Sequence, residues 1–279
     1  MTELTKLISK RKDPVVSIIM PVFNVAIYLE QSIRSVISQT YCNWELIICD
    51  DCSTDGSQEI AKKFAGTDQR ISYFQNKKNL GANLTRYRAM KEAKGQYIAW
   101  LDADDAAFPK RIEKQVEYLN NHPNVGVVGS NIIYFNEDGI EMEIIKYPSV
   151  HKDILLAIPV AQPFKQGALT IRRECFEEYG LFSGQIYDEF EFYLCFAQTW
   201  RLHNLDEVLL KFRMRDDSET IVNQKKFLRE ILHMKRVYVT KYKLPITFKL
   251  IISYILTWVM LYLPSKFARK FGEFLRRFI

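Results

Sequence analysis

An α/β fold with a doubly wound, mostly parallel sheet (α/β/α) and a helical, basic C-terminal extension is predicted by three features of the 279-residue sequence. Apolar, β-type runs alternate with helix-period segments through the first 135 residues, a pattern of strand–helix–strand units whose crossovers make the strands parallel. The alternation then breaks up, with Pro148, Pro159 and Pro163 punctuating a mixed stretch. Charge is segregated too: residues 221–279 hold 13 Lys and Arg against two acids, whereas the first 220 hold 26 against 31. With 48% hydrophobic and 26% charged residues the chain can build a large core, which excludes a disordered, collagen-like or disulfide-scaffold protein.

Taken in order, residues 1–13 read as a tail without the apolar segment of a signal peptide. Strands are expected at 15–20, 45–49, 71–74, 97–101 and 125–135, all rich in Val, Ile and aromatics. Helices are expected between them at 26–39, 57–64, 83–93 and 109–120. In the first of these, Leu29, Ile33, Val36 and Ile37 recur at helical spacing and mark a face turned to the core. Beyond 135, a strand near 168–171, helices at 174–179 and 188–200, and a short strand at 208–212 complete one domain spanning 14–217. Its halves are 14–135 and 136–217, and 218–279 reads as a basic, amphipathic helical region.

Open parallel sheets bind ligands outside the carboxyl ends of their strands, so the residues following each strand matter most. The first strand leads into Pro21-Val22-Phe23-Asn24, the second into Asp50-Asp51-Cys52-Ser53-Thr54-Asp55-Gly56-Ser57, and the fourth into Asp102-Ala103-Asp104-Asp105. Asp50, Asp51, Asp102, Asp104 and Asp105 thus converge on one edge, where only a cation or hydrogen-bond donors can offset their repulsion. Asp-x-Asp at a strand end offers the hard oxygen ligands that Mg²⁺ or Mn²⁺ takes, with water and phosphate completing the shell. Asp55, before Gly56-Ser57, reads equally as one of the functional acids or as a helix cap or Asx turn. Cys49 and Cys52 form a C-x-x-C, but five cysteines without a second pair give neither a zinc site nor a disulfide framework. Free thiols point to a reducing compartment.

With these motifs in hand the chain resembles the family 2 glycosyltransferases of the GT-A fold. The resemblance runs through 16–24, Tyr28-Leu29, 35–40, 45–57, Asn79-x-Gly81, 93–98, 101–105 and Pro109, covering roughly 14–215. It implies a nucleotide-sugar-binding half at 14–135 and an acceptor and base half at 136–217. In that arrangement Phe23 stacks on the uracil of a UDP-sugar, beside the Pro21 and Val22 backbone and the Asn24 and Ser53 loops. Asp51 accepts a hydrogen bond from the base. Asp102 meets the ribose or a metal-bound water, and Asp104 ligates a Mn²⁺ or Mg²⁺ that bridges the diphosphate. Arg86 and Arg88 could hold phosphates, although the solvated face of a helix is the plainer reading of both.

An inverting transfer needs a base to deprotonate the acceptor hydroxyl. The family places a Glu-Asp pair after a Gly-Leu-Phe segment; here Gly180-Leu181-Phe182 leads to Asp188-Glu189, in reversed order. Glu189 is expected as the base, with Asp188 its rival or simply a cap. Where the family carries Arg-x-His, this chain reads Arg213-Met214-Arg215. Arg215 cannot bind a metal but can pair with the diphosphate. The segment Pro163-Phe164-Lys165-Gln166-Gly167-Ala168 also lacks the family's histidine.

Residues 250–263 are uncharged, but 14 residues are too few to span a bilayer, which needs ~20. Past Pro264, Phe267, Phe271, Phe274 and Phe278 repeat at helical spacing among Lys266, Arg269, Lys270, Arg276 and Arg277, as in helices that lie on anionic membranes. Nucleic acid is the poorer partner, since no binding motif accompanies the charge. The expected function is therefore transfer from a UDP-sugar to a lipid-linked or lipopolysaccharide-type glycan, in the cytoplasm against the inner face of a bacterial membrane. A non-catalytic nucleotide-sugar-binding scaffold is the alternative. A nucleotidyltransferase would carry a glycine-rich loop after the first strand, and a processive synthase a Gln-x-x-Arg-Trp motif; neither is present.

Overall fold

The computed structural model describes residues 15–160, 162–179, 188–215, 224–243 and 245–263; of 179, 188–191, 224, 226 and 227 it describes the backbone only. The expected N-terminal tail and the phenylalanine-striped segment at 264–279 lie outside these residues.

Four parallel strands form the first half of the sheet: β1 (Val16–Val22), β2 (Trp44–Asp50), β3 (Ile71–Gln75) and β4 (Tyr97–Trp100), in the order β3-β2-β1-β4. Alternation along them divides the core. Ile18, Met20, Leu46, Ile48 and Ala99 face helices α1 (Ala26–Ile37), α2 (Ser57–Thr67) and α4 (Arg111–Asn121). Ile19, Ile47, Cys49, Ile98 and Trp100 face α3 (Ala82–Lys91) on the other side. A sheet covered on both faces must be apolar on both, which is why these strands read as continuous hydrophobic runs. Every element expected in this half forms within a few residues of its expected bounds. Pro21 is inside β1 rather than beyond it, paired with Cys49. It is tolerated because β4 pairs β1 only as far as Ile19, so that edge asks for no N–H from Pro21.

The second half is less regular. Strand β8 (Thr170–Arg172) joins β4 to β6 (Val125–Phe135), antiparallel to both. β6 in turn runs parallel to β9 (Arg201–Arg213), with β7 (Glu141–Ile145) sharing the edge of β6 that β8 occupies. The two-residue β5 (Ala106–Ala107) closes on β9. Strand β9 is far longer than the expected 208–212, because Asp206 and Glu207 bulge out where the register jumps from Leu205 to Val208. Asn131 caps that bulge by donating to the Asp206 carboxylate. β5, β7 and α5 (His151–Ala157) were not expected from the sequence. α6 (Arg173–Tyr179) and α7 (Asp188–Phe196) fall where helices were expected, with α7 ending four residues early as the chain turns into β9.

Two further helices, α8 (Gln224–Thr240) and α9 (Phe248–Met260), pack on each other. Met234, Tyr238 and Leu250 join the core on the face shared with α3, α5 and α7.

Candidate active site

The crossovers reverse between β1 and β4, and that reversal opens the crevice where doubly wound sheets take ligands. Three strand exits meet there.

At the β1 exit the backbone turns sharply, with Asn24 at φ +49°; the facing Cys52, after β2, sits at +68°. Non-glycine residues rarely adopt this region, and asparagine tolerates it best. Here the two turns hold each other. The Asn24 N–H donates to Ser53 Oγ at 3.0 Å, and Asn24 Oδ1 accepts from the Thr54 N–H at 2.9 Å. Phe23, on the tip between them, is 47% exposed and presents its ring outward.

The acids at the β2 exit are occupied by neutral donors. Asp50 Oδ1 accepts from the Ser53 N–H, whereas its buried Oδ2 has no donor among the described residues. Asp51 accepts from Asn76 Nδ2 at 2.7 Å and the Leu80 N–H at 2.8 Å through Oδ1, and from the Gly81 N–H at 2.8 Å through Oδ2. Gly81 takes φ +84°, a bend that brings both amides onto the one carboxylate. Asp55 forms an Asx turn just before Gly56, the N-cap of α2. It accepts from the N–H groups of Ala26 and Ser57 and from Ser57 Oγ. Partial burial opposes its ionisation, but these hydrogen bonds prevail and hold the carboxyl below its ordinary 3.8.

The β4 exit is balanced by cations instead. Arg86 Nη2 meets Asp102 Oδ1 at 2.9 Å, and Arg215 Nη1 meets Asp104 Oδ2 at 2.9 Å. The Asp102 and Asp104 side chains stay 26% and 24% exposed. Arg86, by contrast, is only 3% exposed and lies over the Trp100 ring, so the solvated-helix reading of it is corrected. Arg88 does reach the surface, but it is tied down on Gln75 and Asn76 rather than facing the crevice. Asp105 is fully buried, with Oδ1 accepting from the Arg213 N–H and Oδ2 without a donor among the described residues. Burial raises the proton affinity of Asp104, and the Asp102 charge adds to it while Arg215 opposes. Asp105 is raised further, by burial and then by Asp104 and Asp102, against Lys165 and the Arg213 amide.

Several residues that build this edge were not singled out by the sequence. Arg213, buried between the Tyr28 and Phe135 rings, donates to the Asp104 carbonyl and to Gln31, and so fixes the loop between the two aspartates. Arg111 lies beneath the acids, donating to the carbonyls of Trp100 and Leu169; burial drops its pKa to about 9 even with Asp105 and Asp102 pulling it up. Gly167 packs so closely that an added Cβ would lie 3.2 Å from both Asp102 Oδ2 and Asp105 Oδ2. A signal existed for Arg213, as the neighbour of Arg215 in an Arg-x-Arg. Arg111 and Gly167 had none, because burial makes them matter.

Asp188 and Glu189 open α7, but their side chains, like the Gly180-Leu181-Phe182 segment before them, lie outside the described residues. Among the described residues no three His, Cys, Asp or Glu side chains gather to hold a metal alone. Asp102 and Asp104 nevertheless suit a hard divalent ion, which needs only one or two carboxylates when a substrate's phosphates supply the rest. All five cysteines are free, and burial pushes the Cys49 thiol up to about 11, as expected of an inert structural thiol.

A sheet covered on both faces, with acids and arginines gathered at its exit edge, is the arrangement of a GT-A fold. Residues 17–180 match the model of the Glycosyl transferase family 2, and the chain belongs to that family. It is 36% identical over 212 residues to EpsE of Bacillus subtilis (strain 168), assigned as a glycosyltransferase, covering 74% of each protein. It is 30% identical over 216 residues to an uncharacterized glycosyltransferase, MJ1057, of Methanocaldococcus jannaschii, covering 75% of this chain and 73% of that one. Among solved structures, S. aureus TarS (residues 1–349) in complex with UDP-GlcNAc superposes with a TM-score of 0.68 at 19% identity, over 87% of this chain and 72% of that one. The mannosyltransferase PcManGT from Pyrobaculum calidifontis, in complex with GDP-Man and Mn²⁺, gives a TM-score of 0.63 at 15% identity, over 95% of this chain and 77% of that one.

Proposed function

We propose that this glycosyltransferase transfers a sugar, with inversion, from a UDP-sugar to a hydroxyl of a lipid-linked or lipopolysaccharide- or capsule-type glycan, assisted by Mn²⁺ or Mg²⁺. The observation that carries the reading is the pairing of two partly exposed aspartates with two arginines at the β4 exit. A guanidinium that holds a carboxylate can hold a phosphate equally well. The UDP and UDP-GlcNAc complexes of TarS support the choice of nucleotide.

In this reading Phe23 stacks on the uracil, flanked by Pro21 and Val22. Asp51 accepts a hydrogen bond from the base through the spare capacity of its Oδ2, and Asn24 and Ser53 hold the turns that present Phe23. Asp104 would ligate the metal, with Asp102 on the metal, a metal-bound water or the ribose, and Arg86 and Arg215 would pair with the diphosphate. A divalent ion held there supplies a Lewis acid for the charge that develops on the departing UDP. Glu189 takes the proton of the attacking hydroxyl, with Asp188 as the alternative base. The catalytic unit is 14–217, and 218–279 brings it to the cytoplasmic face of the membrane as a peripheral protein.

The test is UDP release from a panel of UDP-sugars with Mn²⁺, Mg²⁺ or EDTA, beside Glu189→Gln. One donor should be hydrolysed slowly in a metal-dependent way, and Glu189→Gln should bind UDP normally but lose transfer to acceptor. Failure to bind UDP, with release from a GDP- or dTDP-sugar instead, would sink the donor assignment.

A further inference from the structure

Helix α9 is inside out. Its inward side carries Ser253 and Thr257, whose hydroxyls accept hydrogen bonds from the buried Lys235 ammonium of α8 at 2.6 and 2.7 Å. The Ser253 carbonyl takes a third, at 2.9 Å. Its outward side carries Ile251, Ile255, Trp258 and Val259, all exposed, spaced as one helical face. Ile246, Phe248 and Tyr262 extend that face at both ends, so half of the 14 large exposed hydrophobic side chains of the described residues fall within 246–262. Two shallow clefts between α8 and α9, of about 410 and 350 Å³, share Arg236, Tyr254 and Ile255 in their walls.

The charge around this face selects its occupant. Residues 224–263 contain eight Lys and Arg and a single acid, Glu230. Arg236, exposed at the cleft, donates to Tyr254 and has no carboxylate partner among the described residues. A second copy of the chain would bring the same positive rim against this one. An anionic lipid surface complements both the apolar face and the rim. Thirteen residues of α9 span roughly 20 Å at the α-helical rise, short of the ~30 Å hydrocarbon core, and no helix of the described residues is long and apolar enough to cross a membrane.

We infer that the outer face of the α8–α9 pair is a membrane-docking surface, with α9 lying in the plane of an anionic bilayer and Arg236 on lipid phosphates. Ile251, Ile255 and Trp258 enter the acyl boundary, and the hydrogen bonds of Lys235 hold the polar side of α9 against the enzyme. The inference deepens, and rests on, the peripheral-membrane reading, which the sequence placed on the segment after Pro264.

The experiment is co-sedimentation of the full-length protein with phosphatidylcholine vesicles, with or without phosphatidylglycerol. Trp258 fluorescence is followed with lipids brominated on the acyl chain, subtracting the signal of Trp258→Phe. Binding should require the anionic lipid, and brominated chains should quench Trp258. Ile255→Asp/Trp258→Asp should weaken partitioning roughly tenfold or more, the scale of one buried apolar side chain, with far-UV circular dichroism unchanged. Phe271→Asp/Phe274→Asp, which disables the later segment, should leave Trp258 quenched. Binding that ignores Ile255→Asp/Trp258→Asp, without quenching of Trp258, would overturn the inference while leaving the later segment as the membrane contact. No binding to either vesicle would overturn both readings. A concentration-dependent dimer that the same double substitution abolishes would assign the face to a second copy instead.

Discussion

The two acidic exits of the sheet use the same residue at equivalent positions and neutralise it by opposite means. After β2, Asp51 and Asp55 are held by backbone amides, from Leu80 and Gly81 in one case and Ala26 and Ser57 in the other. After β4, Asp102 and Asp104 are held by guanidinium groups. Amides belong to the fold and cannot leave without distorting a loop, so the β2 carboxylates are tied into the fold. An arginine side chain can exchange one anion for another, so the β4 carboxylates are the ones a metal and a diphosphate can reach. Exposure agrees: Asp51 is shut away, whereas Asp102 and Asp104 remain open to solvent.

This contrast predicts effects that separate activity from stability. Asp104→Asn should have the largest: kcat/KM for the donor falls roughly a thousandfold, the scale of a lost metal or oxyanion contact, while the melting temperature stays put. An equal loss of both would mean that Asp104 is structural after all. Asp51→Ala should lower stability as well as donor binding. Leaving two amides and Asn76 unpaired costs about 3 kcal/mol, read as a melting temperature lower by roughly 5–10 °C, and unchanged stability would break the contrast. Arg215→Lys keeps the charge but not the planar fork, so kcat/KM should fall about tenfold, with metal dependence retained in the same release assay.

The smallest effect falls at Asp55. Asp55→Ala should cost about 1 kcal/mol, as for the loss of a helix cap. The sign with pH comes from its depressed proton affinity. The contribution is complete above the ordinary 3.8 and disappears as pH falls through the lower folded value. Denaturant titrations of both proteins should therefore differ at about pH 7, and the difference should shrink as the pH is taken below the ordinary 3.8.

Much of the β4 exit was legible because hydrophobic strands and short acidic motifs are local signals. The run Tyr97-Ile98-Ala99-Trp100 announces a strand buried on both faces, and the residues just past its carboxyl end must lie at the ligand edge. The second half resists for two reasons. In β9 the Asp206-Glu207 bulge interrupts the alternation that betrays a strand, and β7 exposes nearly all of its side chains. The other reason is that the neighbours of Arg86 and Asp51 lie far from them in sequence. Trp100 and Asp102 bury the first, and Leu80 and Gly81 claim the second.

The arginine that faces Asp104 comes from the far end of the domain, 111 positions later in the chain. A ribosome adding about 5–20 residues per second makes Asp104 roughly 5–20 s before it makes Arg215. Arg86, which serves Asp102, precedes its partner by 16 positions and is ready at once. The two halves of the Asp-x-Asp motif therefore mature on different clocks. During synthesis Asp104 and Asp105 wait for β9 to supply Arg213 and Arg215, and the last strand of the sheet is also the step that switches the acidic edge from repulsive to balanced.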